Sequence, residues 1–556
     1  MKAWLEERTG WPGLLGRWLG ERIPGGARWA YVFGSALLFL LLAQLCSGVA
    51  LAFSYSASTQ AAWASVARIE QSGLGHLLRG LHTHGATFLL AVAGLHLLQT
   101  AVAGAYRKPR ELTWWLGLLL LLLLLAFCLT GSLLPWDERG YWATRVTIGI
   151  AGSAPLVGPF FARTLTAGEG FGNLALTRFY ALHATALPLL MLAFAAAHVA
   201  AMRRHGVTAL PGKKTDEPFW PRQALYDAAF SLLLLAALFA VAQKGAPLLG
   251  PADPGGASNP RPEWYFRPLF ELLKLMPGSL EWLGTFLVPL LATGFLALLP
   301  VIDREARARK PVLAVLLGGF LAAGGLCVAS FRSDAKSPQF QREQQLAEKR
   351  AHKALELART VGVPPEGALA LLQNQPEERG QRLFVRACAE CHTARGSGGE
   401  KAPRLDGYLS RAWIKRVLAH PEAPDLYGNA KISGMDSYEK LGAEKLDHLT
   451  DFLVALRTHA ADEPALESGK RLYVASGCLD CHALEAGQPK GAPTLAGYGS
   501  TEWLRNLLRD PGAPDYYEVQ NRMPDFGPRL QPEQLDDLIA FVRTLESEEP
   551  EVAAQP

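Results

Sequence analysis

Residues 79–96, RGLHTHGATFLLAVAGLH, place two histidines in an otherwise apolar segment of the chain. His82 and His96 are 14 residues apart. At 1.5 Å per residue, this spacing puts both imidazoles on nearly one face of a helix, about 20 Å apart along its axis. Ionisable residues inside membrane-spanning sequence are rare and usually functional. The stretch therefore predicts a membrane helix that presents one ligand near each membrane surface.

A second stretch, TRFYALHATALPLLMLAFAAAH at residues 177–198, repeats this pattern with His183 and His198, 15 residues apart. Two such helices facing each other in a bundle hold two haems between them. An imidazole on each side of iron leaves no open coordination position, which predicts electron transfer rather than oxygen chemistry. We therefore predict two non-covalent haem b groups, one between His82 and His183 and the other between His96 and His198. Four purely structural histidines are the disfavoured alternative.

The apolar residues of the chain are unevenly distributed. The 556 residues are 49% hydrophobic, but the long apolar runs lie in the first 330 residues and the remainder is charged. A net charge of +4 gives no reason to expect a nucleic-acid partner. Seven segments are long and apolar enough to span a membrane: about 30–53, 82–103, 114–134, 180–201, 224–244, 281–300 and 311–331.

The distribution of positive charge predicts the orientation of these spans. The short connections after the second, fourth and sixth spans are rich in Lys and Arg, so they and the N-terminus are predicted to be cytoplasmic. An odd number of spans carries everything after residue 331 to the opposite side. We expect a multi-pass protein of the bacterial inner membrane whose C-terminal part is periplasmic.

Two C-x-x-C-H motifs, CAECH at 388–392 and CLDCH at 478–482, follow the apolar part. In such motifs the thiols bind the haem vinyl groups covalently and the histidine coordinates iron. A zinc site needs a second ligand pair at matching spacing, which is missing from the sequence. We predict two haem c groups, attached through Cys388, Cys391, Cys478 and Cys481 and ligated by His392 and His482.

The two motifs belong to an internal repeat with an offset of about 90 residues, which predicts two tandem copies of one small domain. Each copy offers a methionine as sixth iron ligand. Met435 and Met523 follow the motif histidines of their own copies by 43 and 41 residues, so the spacing predicts His/Met ligation within each copy. His420 and His448 are the rival ligands in the first copy.

The predicted fold is all-α: a seven-helix membrane part, with a haem-binding four-helix bundle and three further helices, followed by two tandem cytochrome c domains. An interfacial amphipathic stretch is predicted at 1–29, the four-helix domain at 30–215 and the three-helix domain at 216–331. A linker at 332–376 leads to the two C-terminal domains, at 377–460 and 461–556.

Two further motifs, GSLLPW at 131–136 and RPEWYF at 261–266, complete a family pattern. With the two histidine stretches, they resemble the cytochrome b of quinol-oxidising cytochrome bc complexes over residues 1–331. The 15-residue spacing and the stop after seven spans resemble the b6f-type branch, with its small subunit fused. The C-terminal repeats resemble class I cytochrome c.

The resemblance implies roles for further residues. Two glycines let haem approach the backbone, and three arginines hold haem: Gly34, Gly48, Arg79, Arg178 and Arg203. Two departures limit it. Gln99 stands where an arginine is usual, and the segment DERGYWATR at 137–145 alters one wall of the quinone pocket.

The resemblance also implies the reaction. Glu263 accepts a proton from quinol at the outer face, and Pro262, Trp264 and Tyr265 shape the pocket. One electron goes to a Rieske iron-sulfur protein and the c haems, and the other crosses the two b haems, which contributes to the proton-motive force. The implied partners are the Rieske protein, membrane quinone, a cytochrome c or other terminal acceptor, and a second copy of the complex.

Two other functions fit parts of the sequence. The first is a reductase that passes electrons from periplasmic donors to quinone without bifurcation and without a Rieske protein. The second is a membrane-anchored electron carrier without a quinone site, which the LPW and PEWY elements disfavour.

Overall fold

The structure is a computed structural model, and it describes residues 2–11, 13, 16, 19–152, 158–166, 171–209, 215–256, 261–276, 278–304, 309–430, 434–458 and 464–547. About 70% of the chain is helical, with almost no sheet, which confirms the all-α prediction. The chain divides into two compact units, residues 1–371 and 372–556. Part of the predicted interfacial stretch, Leu14, Leu15 and Trp18, lies outside the described residues.

Among its described residues, the first unit contains seven helices that are long and apolar enough to cross a membrane, as predicted. They are α2 Trp29–Ala52, α4 Gly73–Ala103, α5 Glu111–Ser132, α8 Asn173–His205, α9 Phe219–Ala242, α11 Leu283–Ile302 and α12 Arg309–Lys336. The other helices are α1 Lys2–Thr9, α3 Ala62–Gln71, α6 Glu138–Gly152, α7 Gly158–Thr166, α10 Arg267–Lys274 and α13 Pro338–Thr360.

Helix α4, which carries the first histidine pair, has clear signals at both ends. The Ser72 hydroxyl accepts a hydrogen bond from the Gly75 amide and so caps the N-terminus. At the other end Gly104 adopts a left-handed conformation with φ of 67° and stops the helix. These signals leave a 31-residue helix, long enough to carry ligands at two depths.

The core of the first unit lies where α2, α4 and α5 meet. Ala36, Leu40, Leu89, Val92 and Leu124 are buried there. Helix α4 packs on α2 and α9, and α8 packs on α5. This arrangement sets the two histidine-bearing helices, α4 and α8, on opposite sides of a shared interior.

A buried carboxylate, Asp303, ties the loop after α4 to the start of α12 at the His96 and His198 end of the bundle. It is fully buried and accepts hydrogen bonds from Tyr106 (2.5 Å), Arg107 (2.6 Å) and Arg309 (2.9 Å). Burial alone raises the pKa of Asp303, but the hydrogen bonds from Arg107, Tyr106 and Arg309 outweigh it and hold the pKa below its usual value.

We expect Asp303→Asn to destabilise this unit by about 1.5–3 kcal/mol, because the partly exposed cations Arg107 and Arg309 lose their hydrogen bonds to a buried charge. Thermal unfolding of the detergent-solubilised chain measures the loss. Glu7→Gln, at the exposed Arg8–Glu7 pair, is the control and should cost at most about 1 kcal/mol. Equal melting temperatures for the two variants would contradict the prediction.

The second unit is built from α14 Leu369–Gln373, which begins just before it, and from α15 Pro376–Ala387, α16 Arg411–Ala419, α17 Ala443–Ala455, α18 Glu467–Ala475, α19 Cys478–Cys481, α20 Thr501–Arg509 and α21 Pro532–Thr544. Two short antiparallel pairings complete the fold, β1 Arg22–Ile23 with β2 Glu217–Pro218 and β3 Thr393–Ala394 with β4 Ser397–Gly398. In the first, Arg22 lies opposite Pro218, and in the second, Thr393 lies opposite Gly398.

Candidate haem and quinol sites

Helices α4 and α8 bring His82 and His183 close together, with ring centroids 6.2 Å apart and ring planes at 76° to each other. Ser47 lies 3.0 Å from His82 Nδ1 and donates its own proton to the Ala43 carbonyl, so it accepts the Nδ1 proton. Thr130 does the same for His183 at 3.1 Å. Both rings thus keep Nε2 free of a proton, which is the tautomer that a metal ligand needs.

The other two histidines, His96 and His198, lie near enough to interact electrostatically at the opposite end of the same helices. His198 Nδ1 donates to the Thr113 carbonyl at 2.9 Å, so its Nε2 is also a free ligand atom. His96 Nδ1 is buried and has no hydrogen-bond partner among the described residues. The structure therefore has two facing imidazole pairs, one near each end of the bundle.

Glycines on the flanking helices clear space beside the first pair. A Cβ placed on Gly48 of α2 would lie 3.0 Å from His82 Cε1, and one on Gly131 of α5 would lie 2.6 Å from His183 Cε1. Side chains at these positions would collide with the imidazoles. The two glycines therefore let the imidazoles pack against the backbones of α2 and α5. Both glycines also line a cavity of about 410 Å³ beside the two rings, so the residues present fit a haem.

At the second pair, the close approach to a glycine occurs on one side. A Cβ on Gly117 would lie 3.1 Å from His198 Cε1, whereas one on Gly34 would lie 3.7 Å from His96 Cε1, which is an ordinary contact. The sequence reasoning predicted the glycines of α2 and missed those of α5. The available signal was spacing, because the two α5 glycines are also 14 residues apart.

A cavity of about 410 Å³ lies beside His82 and His183. It brings the PEWY segment to the same place as the histidine pair, since Pro262, Glu263 and Tyr265 all line it. Of the described residues, Trp264 lies outside this lining and is 36% exposed. The other lining residues that matter below are Gly48, Arg79, Cys128, Leu134, Pro135 and Arg139.

The Glu263 carboxylate faces a cation across this cavity, because Arg139 Nη1 lies 3.6 Å from Glu263 Oε1. Arg139 belongs to α6, within the segment that departs from the family pattern. Burial raises the pKa of the Tyr265 phenol, as do Cys128 and Glu263, while Arg139 opposes them. Tyr265 therefore keeps its proton and can donate a hydrogen bond into the cavity.

The PEWY segment is anchored at both ends by one buried carboxylate. Asp334 of α12 accepts hydrogen bonds from Arg261 Nε at 2.8 Å and from Arg267 Nη1 at 2.6 Å. It is 5% exposed. The two arginines flank Glu263 in sequence, so this double anchor fixes the backbone that carries it.

The three predicted haem-holding arginines lie in different surroundings. Arg79 lines the cavity and donates to Glu70 at 2.7 Å and to the Ala246 carbonyl at 2.7 Å. Of the described side chains, Arg178 lies outside the cavity lining, since it is exposed and donates to the Thr164 carbonyl. Arg203 pairs with Glu21 at 3.0 Å. Of these three arginines, Arg79 is the one that lines the cavity beside the histidines, and the contact of all three with haem stays a prediction.

In the second unit, both motif histidines are held by a proline carbonyl. His392 Nδ1 lies 2.8 Å from the Pro403 oxygen, and His482 Nδ1 lies 2.7 Å from the Pro493 oxygen. Burial lowers the pKa of each imidazole, although each carbonyl contact opposes this. Both rings are therefore neutral with Nε2 free, which fits a haem iron ligand. Cys388 and Cys478 are buried beside them.

Facing histidines inside a seven-helix membrane unit and two C-x-x-C-H sites outside it define a multi-pass membrane cytochrome with b-type and c-type sites. Comparison with known proteins agrees. The family "Cytochrome b(N-terminal)/b6/petB" matches residues 87–252, and the family "Cytochrome c" matches residues 377–457 and 466–546.

Individual relatives point the same way. Cytochrome b6 of Cyanidium caldarium is 35% identical over 206 residues, which cover 37% of this chain and 96% of the relative. Cytochrome b of Rhodobacter capsulatus is 30% identical over 293 residues, which cover 49% of this chain and 67% of the relative. A solved chain titled "Hyperthermophilic respiratory Complex III" matches with a TM-score of 0.53 and 27% identity, covering 66% of this chain and 99% of that one.

The chain belongs to the cytochrome b/b6 family and carries two cytochrome c domains after its membrane part. It is a cytochrome b/c chain of the kind found in bc-type, complex III-like assemblies. Its domains imply both haem b and haem c.

Proposed function

We propose that this chain is the cytochrome b/c subunit of a quinol:cytochrome c oxidoreductase and that quinol is oxidised in the cavity beside His82 and His183. The observation that carries the proposal is that the groups needed for proton transfer and for electron transfer line one cavity. A carboxylate, Glu263, and a protonated phenol, Tyr265, line the same cavity as a facing imidazole pair. A proton acceptor and an electron-acceptor site within one cavity are what quinol oxidation requires.

The side chains of the cavity divide the work between them. Oxidation of a quinol releases two protons and two electrons. Glu263 accepts one proton, and its side chain, 46% exposed, gives that proton a route to water. Tyr265 donates a hydrogen bond that orients the quinol oxygen. The haems, when bound, supply one-electron carriers. Their predicted ligands are His82 with His183 and His96 with His198 for the b haems, and His392 and His482 for the c haems.

The remaining parts of the proposal concern partners and location. The electrons divide between a Rieske iron-sulfur protein and the pair of b-type sites, with quinone reduced near His96 and His198. The c-type sites pass electrons to a cytochrome c or another terminal acceptor. The complex is a homodimer in the bacterial inner membrane, with the C-terminal unit on the periplasmic side. The charge asymmetry of the loops and the complex III relative support this arrangement.

Purification of the intact complex tests the proposal. We expect two b haems and two c haems per chain by pyridine haemochrome analysis, a co-purifying Rieske protein, and quinol oxidation that is blocked by inhibitors of the outer quinone site. A complex without a Rieske protein that reduces quinone from periplasmic donors would instead establish the reductase alternative.

We expect Arg139→Gln to slow quinol oxidation by about two- to fivefold, because a half-exposed charged contact at 3.6 Å is worth about 0.5–1 kcal/mol. Steady-state kinetics of the membranes measure kcat and KM separately. Arg139→Lys keeps the positive charge and should recover most of the rate. A wild-type rate for Arg139→Gln would show that the ion pair with Glu263 has no part in the reaction.

A further inference from the structure

The helix pairs of the second unit join the two repeats crosswise. Helix α15 opens the first repeat, yet it packs on α21, which closes the second. Gly380 makes this contact so close that a Cβ there would lie 1.9 Å from the Asp537 carbonyl oxygen. Beside it, Arg379 binds Asp537 through two hydrogen bonds of 2.6 and 2.7 Å.

The reciprocal pair has the same geometry. Helix α18 opens the second repeat and packs on α17, which closes the first. Gly469 is the repeat equivalent of Gly380, and a Cβ there would lie 2.2 Å from the His448 carbonyl oxygen and 2.6 Å from Phe452 Cβ. Each opening helix therefore uses its glycine to pack on the closing helix of the other repeat.

The hydrophobic cores, like the helix pairs, combine residues from both repeats. One core contains Phe384 and Cys388 of the first repeat together with Trp503 and Phe541 of the second, and Met523 packs against it. Both aromatic side chains of the opening and closing helices meet there, with Phe384 and Phe541 ring centroids 5.3 Å apart. The first attachment site thus shares its core with the methionine of the second repeat.

The other core is the mirror arrangement. It contains Cys478 and Tyr473 of the second repeat together with Phe452 of the first, and Met435 packs against it. Tyr438, three residues after Met435, donates a hydrogen bond of 3.4 Å to the Ser476 carbonyl, two residues before Cys478. The methionine segment of the first repeat therefore lies at the attachment site of the second.

We propose that the two c haems are ligated crosswise, with Met523 completing the site of His392 and Met435 completing the site of His482. This runs against the pairing that the spacing within each repeat predicts. The inference depends on the c-type sites and is independent of quinol oxidation. It makes the two repeats one interlocked unit, in which each site is incomplete without a residue from the other repeat.

The test uses the full-length chain in its membrane with one attachment site removed. Cys388→Ala with Cys391→Ala leaves a single c haem, at Cys478, Cys481 and His482. Met435→Ala or Met523→Ala is then added to this background. The readouts are the methionine-to-iron charge-transfer absorption of the ferric c haem and its midpoint potential.

Crossed ligation predicts that Met435→Ala abolishes the charge-transfer band of the remaining haem and lowers its potential, whereas Met523→Ala leaves both unchanged. The mirror background, Cys478→Ala with Cys481→Ala, should give the reverse. Loss of the band with Met523→Ala in the first background would overturn the proposal.

A second measurement applies if these variants fail to accumulate. In the chain with both attachment sites intact, Arg379→Asp and Asp537→Arg should each lower the melting temperature of the c-type unit, and the double variant should recover it. Purely additive losses would show that α15 and α21 do not pack together, and the crossed arrangement would then be wrong.

Discussion

Replacement of His183 by alanine is expected to remove one of the two b haems and to abolish quinol oxidation. The chain supplies the proposed iron site through two facing rings, His82 and His183, whose Nδ1 protons are held by Ser47 and Thr130. Without the His183 ring, the iron site keeps only the His82 ligand. Pyridine haemochrome analysis of the purified chain should show b haem falling from two to one while c haem stays at two.

Two further variants sharpen this experiment. His198→Ala should also lower the b haem content to one but should affect the other end of the bundle, so the spectrum of the lost haem should differ between the two variants. His84→Ala is the matched control, because His84 lies on the same helix and its imidazole is hydrogen-bonded to the Gly245 carbonyl at 2.9 Å. Retention of two b haems in His183→Ala would remove this residue from the ligand set.

Local periodicity explains why the membrane unit could be predicted. A helix fixes which face each residue occupies, so the 14- and 15-residue histidine spacings predicted two ligands per helix before any packing was known. Span length and apolarity predicted seven helices in the same way, and the part of the chain that the structure describes contains seven. The same argument applied to α5 predicts Gly117 and Gly131, but glycine in an apolar run is a weaker signal than histidine.

Contacts between segments that are distant in sequence could not be predicted from local periodicity. Arg139 reaches Glu263 only because α6 and the PEWY segment line one cavity, and no spacing in the sequence reveals that distance. The double anchor on Asp334 was missed for the same reason. Apolar periodicity predicts which residues are buried, but it does not predict which polar partners they meet.

The crossed repeats show a different limit. Two copies with the same local pattern offer two equivalent pairings, because an opening helix fits the closing helix of either copy. The spacing of Met435 and Met523 favoured pairing within a copy, as in a single domain. The choice depends on tertiary contacts such as the close approach of Gly380 to Asp537, which no local spacing reveals.

Glu263→Gln is expected to slow quinol oxidation by about 10²-fold or more, because a positioned general base contributes about 10²–10⁴-fold to a proton transfer. The amide keeps the size of the side chain but cannot accept the quinol proton. All four haems should remain, since Glu263 lies on the cavity wall beside the imidazoles and belongs to neither pair. Quinol-dependent reduction of the b haems, followed by stopped-flow absorption, measures the rate.

Glu281→Gln, at an exposed residue that follows the same segment, is the control and should react at the wild-type rate. A wild-type rate in Glu263→Gln with full haem content would assign proton acceptance to another group in the cavity.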